Sequence, residues 1–211
     1  MRVIPLAAGL MGVFRQPHRG DVKMDFSKLI MNRRSIRDFE DKAVALETVQ
    51  EIIKESCLSP SSGDRQEWRF VIVNKKEWIK RISDESKRNI LKDIEANPDS
   101  YMSRYDAALK DEQFNVFYNA PCLIIILGPK DNHTLQIDCS LIACYVMFSA
   151  AERGLGTCWV GLGTFIKDPG LLKELGITAD LQIVAPIILG YPKRIPEATG
   201  RKAPQILKVI E

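Results

Sequence analysis

Apolar and polar residues recur along this chain in two rhythms, and the changes of rhythm mark its elements. From Met24, the stretch "MDFSKLIMNRR" places Phe26, Leu29 and Ile30 at helical spacing, with Asp25 or Ser27 near the start, and predicts a helix ending near Arg33. "ALETVQEIIKESCL" sets Leu46, Val49, Ile52, Ile53 and Cys57 on one face of a second helix. "SPSSGD" is a loop by composition, and "WRFVIVN", residues 68–74, reads as a buried strand. Residues 76–118 are polar and mostly helical in pattern, broken around Pro98. "APCLIIILG", residues 120–128, predicts a central strand.

The second half repeats the alternation. "LQIDCSLIACYVMFSAAERG", residues 135–154, is apolar almost all round, so a helix here should be buried on most faces, with Gly154 near its C-cap. "GTCWVGLG" predicts a short strand entering a glycine-rich loop, "DPGLLKELGI" a short helix, and "LQIVAPIILGY", residues 181–191, a last long strand. A basic, proline-punctuated tail follows. Strands alternating with helices imply layers of sheet and helix. No internal repeat, low-complexity tract or linker interrupts them.

The start of the chain differs. "VIPLAAGLMGVF", residues 3–14, is apolar but too short to span a bilayer, and "RQPHRGD" after it makes a poor cleavage site. Residues 1–23 read as an extension outside the main fold, which occupies 24–211. An arm packing on a partner and an upstream start outside the natural protein both fit.

Composition narrows the function classes. At 211 residues, 45% hydrophobic and 27% charged, the chain has an ordinary soluble globular composition. Its net charge of +3, from 30 basic against 27 acidic residues, lacks the concentrated basic excess of a nucleic-acid binder. Cys57, Cys122, Cys139, Cys144 and Cys158 form no C-x-x-C pair and are odd in number, which predicts free buried thiols in a reducing cytoplasm. With only His18 and His133, neither a His-based metal site nor a Ser/His/Asp arrangement is expected. No metal, membrane or nucleic-acid partner is expected.

One local feature stands out: "NRRSIRDF", residues 32–39, crowds Arg33, Arg34 and Arg37 around Ser35. The cluster reads either as a solvated charge run at a helix end or as a phosphate clamp. In the second reading, planar guanidinium forks and a hydroxyl match phosphate oxygens. "GLGTCWVGLG", residues 154–163, fails as a dinucleotide fingerprint, because a helix precedes it and a strand follows.

Five motifs then fall in one order: "RRSIRDF", "SPSSGDRQEWRFVIV", "APCLIIILG", "AAERGLGTCWVGLG" and "IILGYPKRIP" with "GRK" beyond it. In this order they resemble the FMN-dependent nitroreductase family over roughly residues 24–205. The resemblance implies an α+β fold: a three-layer α/β/α sandwich with a mixed sheet of about five strands flanked by helices, assembled as an intertwined homodimer. It implies FMN as cofactor and NAD(P)H as co-substrate. Arg33, Arg34, Ser35 and Arg37 would grip the phosphate and ribityl end. The loop containing Ser59, Pro60, Ser61, Ser62, Gln66 and Trp68 would reach the flavin of the partner subunit. Val160, Gly161, Leu162 and Gly163 would pass the ring edge and offer backbone N–H groups, and Arg201 and Lys202 would add a phosphate contact. No catalytic acid or base is identified beyond the backbone near Gly161 and Leu162.

The implied reaction is ping-pong: NAD(P)H passes hydride to the flavin, and a small oxidised acceptor such as a nitroaromatic or quinone then takes it up. Asp64 and Glu67 stand where similar sequences commonly have Asn and Pro, and add negative charge to the loop expected to border the ring. Within the same resemblance, a non-catalytic FMN store or sensor and dehalogenase or flavin-destroying chemistry remain alternatives. Outside it stands a small domain binding a phosphopeptide or acidic partner through its arginines.

Overall fold

The computed structural model describes residues 25–211, so the expected extension at 1–23 lies outside the described residues. Four strands make one sheet: β1 (Arg69–Val73), β2 (Cys122–Pro129), β3 (Gly156–Trp159) and β4 (Leu181–Gly190). Their order is β1-β2-β4-β3 and every pairing is antiparallel. Among the described residues, six α-helices accompany them: α1 (Phe26–Asn32), α2 (Leu46–Ser56), α3 (Lys76–Ala96), α4 (Asp106–Lys110), α5 (Leu135–Glu152) and α6 (Pro169–Glu174).

The uninterrupted apolar run of β2 follows from its place between two helical layers. Leu123, Ile125 and Leu127 pack into one core with Ile79, Ile82 and Ile90 of α3. The alternate residues Cys122, Ile124 and Ile126 pack into a second core with Ile52 of α2 and Cys139, Ile142 and Val146 of α5. A strand buried on both faces has no polar side to show, so its sequence does not alternate. β4 is the second central strand. Its register against β2 shifts between Ile126 and Leu127, which leaves Val184 as an extra residue on β4.

The α+β, three-layer architecture is the expected one, and the sheet corrects the expectation of about five mixed strands. Among the described residues, the only parallel pairing is one isolated bridge, Ser35 with Thr157. There Ile36 N–H donates to Thr157 C=O at 2.9 Å. The pairing goes no further because the chain then pairs Phe39 with Pro192, beyond the end of β4.

α5 also departs from expectation. It is long and apolar enough, by length and composition, to cross a membrane, and its inner face packs on the sheet. Yet Ile137, Leu141 and Tyr145, at successive i, i+4 positions, are 61%, 39% and 41% exposed. They form an apolar stripe beside the exposed Phe26, whose ring packs edge-on against Phe148. One chain therefore covers only part of a helix expected to be buried on most faces. At its far end, Arg153 makes a two-pronged ion pair with Glu55 of α2, at 2.6 and 2.9 Å, which links the two helices.

The five cysteines are free, as expected, but Cys57, just past the end of α2, is half-buried, and Cys144 is exposed because it lies on the outer face of α5 beside Ile137 and Leu141. Burial pushes the thiols of Cys122 and Cys139 up to about 12. Below that pH they stay protonated, and the thiolate is the reactive form. A disulfide-exchange reagent at neutral pH is therefore expected to leave Cys122 and Cys139 unlabelled in the native protein and to label both once it is unfolded in urea, with mass spectrometry locating the adducts.

Candidate functional site

The arginine segment begins where α1 ends. Arg33 N–H closes the last turn on Leu29 C=O at 3.0 Å, and the chain then runs extended. In an extended chain, successive side chains fall on opposite sides. Ile36 turns inward, 3% exposed. It lies so close to β3 that a Cβ on Gly156 would stand 2.6–2.9 Å from its side chain. Arg34 folds back, its Nη1 donating to Met31 C=O at 2.6 Å and Arg33 C=O at 2.9 Å, which satisfies carbonyls left open at the end of α1.

Arg33, Ser35 and Arg37 fall on the other side, toward Cys158. Burial raises the Cys158 thiol, opposed by the Arg37 charge, a hydrogen bond with Ser35 and the Arg33 charge. The expected cluster of three arginines is thus two arginines and a serine on one face, with Arg34 serving as a cap on α1.

That face continues into the glycine-rich turn. Arg37 stands 5.7 Å from the centre of the Tyr118 ring, and Phe117 beside it packs on Gly163, where an added Cβ would meet the ring at 2.5 Å. Tyr118 and Asn119 adopt left-handed φ of 54° and 53°, unusual for residues with side chains. Val160 N–H donates to Pro186 C=O at 2.8 Å, and Gly163 N–H to Val160 C=O at 3.0 Å. The first N–H groups of the turn at residues 161–164 are those of Gly161 and Leu162, which have no carbonyl a turn earlier to reach. Gly161 is exposed, with open space where a Cβ would stand.

The "SPSSGD" loop is tightly folded. Gly63, Asp64 and Gln66 all take left-handed φ, at 58°, 54° and 51°. Ser61 Oγ accepts Gln66 N–H at 3.1 Å, and Asp64 accepts the Gln66 side-chain amide at 2.7 Å. The Asp64 carboxylate is therefore committed within the loop. Ser62 N–H reaches the buried Asp138 carboxylate of α5 at 3.0 Å. This anchor is at the N-terminal end of α5, whereas Arg33 and Arg34 share a cavity of about 220 Å³ with Ala151 and Gly154 at the other end. From Asp138 to Ala151 is thirteen residues, about 20 Å of helix. Within one chain, Pro60, Ser61, Ser62 and Gln66 and the arginine face thus lie near opposite ends of α5. Arg201 and Lys202 are exposed in the tail, with no hydrogen bond or ion pair to that face.

Polar residues on α3 hold the walls of this region. Lys87, 9% exposed, donates to Asp111 C=O at 2.6 Å and Phe114 C=O at 2.8 Å. Ser83 Oγ accepts Val116 N–H at 2.9 Å. Burial pushes the Glu85 carboxyl up, but Asn89, Arg88 and the N–H groups of Asp168 and Lys167 outweigh it and hold it below the ordinary glutamate value. The stability it contributes is present at neutral pH and is lost as pH falls through that lowered value. In the sequence Ser83 and Lys87 fall at helical spacing with Ile79 and Ile90, which is the signal that they face inward, whereas Glu85 and Asn89 read as the margin of the solvent face. No cluster of three or more His, Cys, Asp or Glu side chains is placed to hold a metal ion among the described residues.

Residues 30–191 match the profile of the Nitroreductase family. This chain belongs to the nitroreductase family. Among its relatives is a protein of Archaeoglobus fulgidus that carries the provisional name NADH dehydrogenase/NAD(P)H nitroreductase. It is 27% identical over 79% of this chain and 84% of its own length. Iodotyrosine deiodinase 1 of Sus scrofa is 27% identical over 93% of this chain and 73% of its own length. A nitroreductase of Bacteroides fragilis solved with bound FMN has the same fold, with a TM-score of 0.76 and 22% identity over 87% of this chain and 97% of that one. The nitroreductase-family match runs from the end of α1 through β4 and so includes Arg33 to Arg37, the 60–66 loop and the 161–164 turn.

Gly163→Ala tests how closely this turn is packed. The added methyl has Phe117 and Pro186 within 2.5–3.0 Å, so the variant is expected to lose about 1–3 kcal/mol of stability, the usual cost of overpacking. A urea titration with unchanged m-value measures it.

Proposed function

We propose that this chain is an FMN-dependent oxidoreductase that passes hydride from NAD(P)H to a small oxidised acceptor such as a nitroaromatic or quinone. The observation that carries the reading is the alternation at residues 33–37, which sets Arg33, Ser35 and Arg37 on one face running into the Gly161 turn. Those three side chains suit a phosphate monoester, whose roughly −1.5 to −2 charge offsets two guanidiniums held close together. Gly161, without a side chain, leaves room for a flat ring to approach the backbone. When bound, FMN supplies the redox chemistry. The chain's part is to bind it, to direct the Gly161 and Leu162 N–H groups at the ring edge where negative charge develops, and to exclude water with the Phe117–Tyr118 wall. Arg34 takes no direct part in this reading. Arg201 and Lys202 join the phosphate only if the tail folds over the site.

We also propose that the working unit is a homodimer. The uncovered stripe of α5 needs an apolar partner, and the loop at Pro60, Ser61, Ser62 and Gln66 then serves the partner's cofactor rather than its own. A second reading, reductive dehalogenation, is supported by the similarity to iodotyrosine deiodinase 1. Turnover of a halotyrosine without NAD(P)H-dependent nitroaromatic reduction would favour it. Tight FMN binding without any NAD(P)H oxidation would favour a store or sensor.

The purified protein is expected to be yellow and to release FMN on heating; FAD, or no flavin after reconstitution, overturns the proposal. Arg33→Ala and Arg37→Ala are each expected to weaken FMN binding by about 1.5–3 kcal/mol, the scale of a hydrogen bond to a charged group. Arg34→Ala should weaken it less and instead lower stability through α1. Titrating apo-protein with FMN and comparing thermal midpoints separates the two effects. Sedimentation is expected to give a dimer in which Cys144, on the open side of α5, is protected from thiol reagents. A monomer with undiminished FMN affinity overturns the dimer.

A further inference from the structure

Glu85 is 6% exposed, yet it is a carboxylate. Burying a charge costs free energy unless it is fully hydrogen-bonded, and an aliphatic side chain there would avoid that cost. Its Oε1 accepts the Asn89 amide at 2.7 Å and Asp168 N–H at 3.0 Å. Its Oε2 accepts Arg88 Nη2 at 2.5 Å. Asn89 Nδ2 also donates to Phe165 C=O at 2.8 Å, so both of its amide protons are engaged. Asp168 in turn caps α6 by accepting Leu171 N–H at 2.6 Å. The chain leaving the 161–164 turn is thus fixed to α3 at Phe165 and again at Asp168, with Ile166 buried between them. On its entry side the turn is fixed to β4 through Val160 and Pro186.

We infer that Glu85 and Asn89 are positioning residues that hold the 161–164 turn, and with it the Gly161 and Leu162 N–H groups, in register with the flavin ring. This rests on the FMN reading above for its consequence, though not for the anchor itself. The two residues touch no reacting atom. They fix the exit of the turn, so that its donors do not have to reorganise when charge develops on the ring.

The test compares the parent with Asn89→Ala, which changes no charge, Glu85→Gln, and Arg88→Ala, which removes only the exposed partner of Glu85. Hydrogen exchange is read on the cofactor-free proteins. In the first two variants, amides at 161–168 are expected to exchange about tenfold faster, with β2 unchanged, as the loss of buried charged hydrogen bonds implies. Arg88→Ala should exchange as the parent does. In the FMN-loaded proteins, Asn89→Ala and Glu85→Gln are expected to shift the flavin midpoint potential in the same direction. Loss of the Glu85 charge alone would move only the second, and general loosening of the fold would speed exchange in β2 as well. Parental exchange at 161–168 in Asn89→Ala, or a parental potential in that variant, overturns the inference. Should Glu85→Gln fail to fold, Asn89→Ala decides alone. A parent protein that takes up no FMN sinks the proposed function, and the exchange result then decides the anchor by itself.

Discussion

Residues 122–127 show almost no side chain to water on either side, so the chain must place a helical layer on each face of them. α3 supplies one layer, and α2 with α5 the other. The candidate site hangs from this arrangement. β3 at the edge carries the arginine segment on its single parallel bridge and delivers the 161–164 turn at its end, while α5 ties the 60–66 loop to its first turns. Were the sheet open to solvent on one face, neither the arginine face nor the turn would have a fixed base.

The same constraint explains an asymmetry in the polar groups. Surface ion pairs, such as Lys80 with Asp84 or Lys110 with Asp106, contribute little, because solvent screens them and long side chains lose entropy in making them. The polar residues that matter are bonded to main chain, and all but the half-buried Asn89 are buried: Lys87 and Ser83 hold one wall, Glu85 and Asn89 the other, and Asp138 the loop. Each closes a backbone group that a loop packed on a core would otherwise leave without water.

Much of this was legible in the sequence. The central strands showed as apolar runs too long and too uniform for a half-exposed strand, and Gly154 punctuated the end of α5 by taking a left-handed φ of 70°. Arg33, Ser35 and Arg37 were legible as candidates because like charges that close ask for an anion. What could not be read was direction. Arg34 differs from its neighbours only in parity, and parity needs an extended backbone that the sequence does not announce at a helix end. Strand count was illegible for a similar reason, since whether Ser35 makes one bridge or a ladder depends on where Phe39 finds its partner. The α3 anchors were hidden because a polar residue bonded to a distant carbonyl looks the same as one bonded to water.

The α3 contacts carry a consequence for how such a protein diverges. Lys87, Ser83 and Asn89 reach carbonyls and amides of the walls, and the Glu85 carboxylate likewise takes a main-chain amide at Asp168; none of them needs a particular side chain at the position it grips. Phe114 and Phe165, only partly buried, can therefore be exchanged over generations for residues of other shapes while the walls stay where they are, whereas Val116 is held by its own packing in the core. A lineage built on this scaffold is free to vary those side chains one at a time without first rebuilding the frame that holds them.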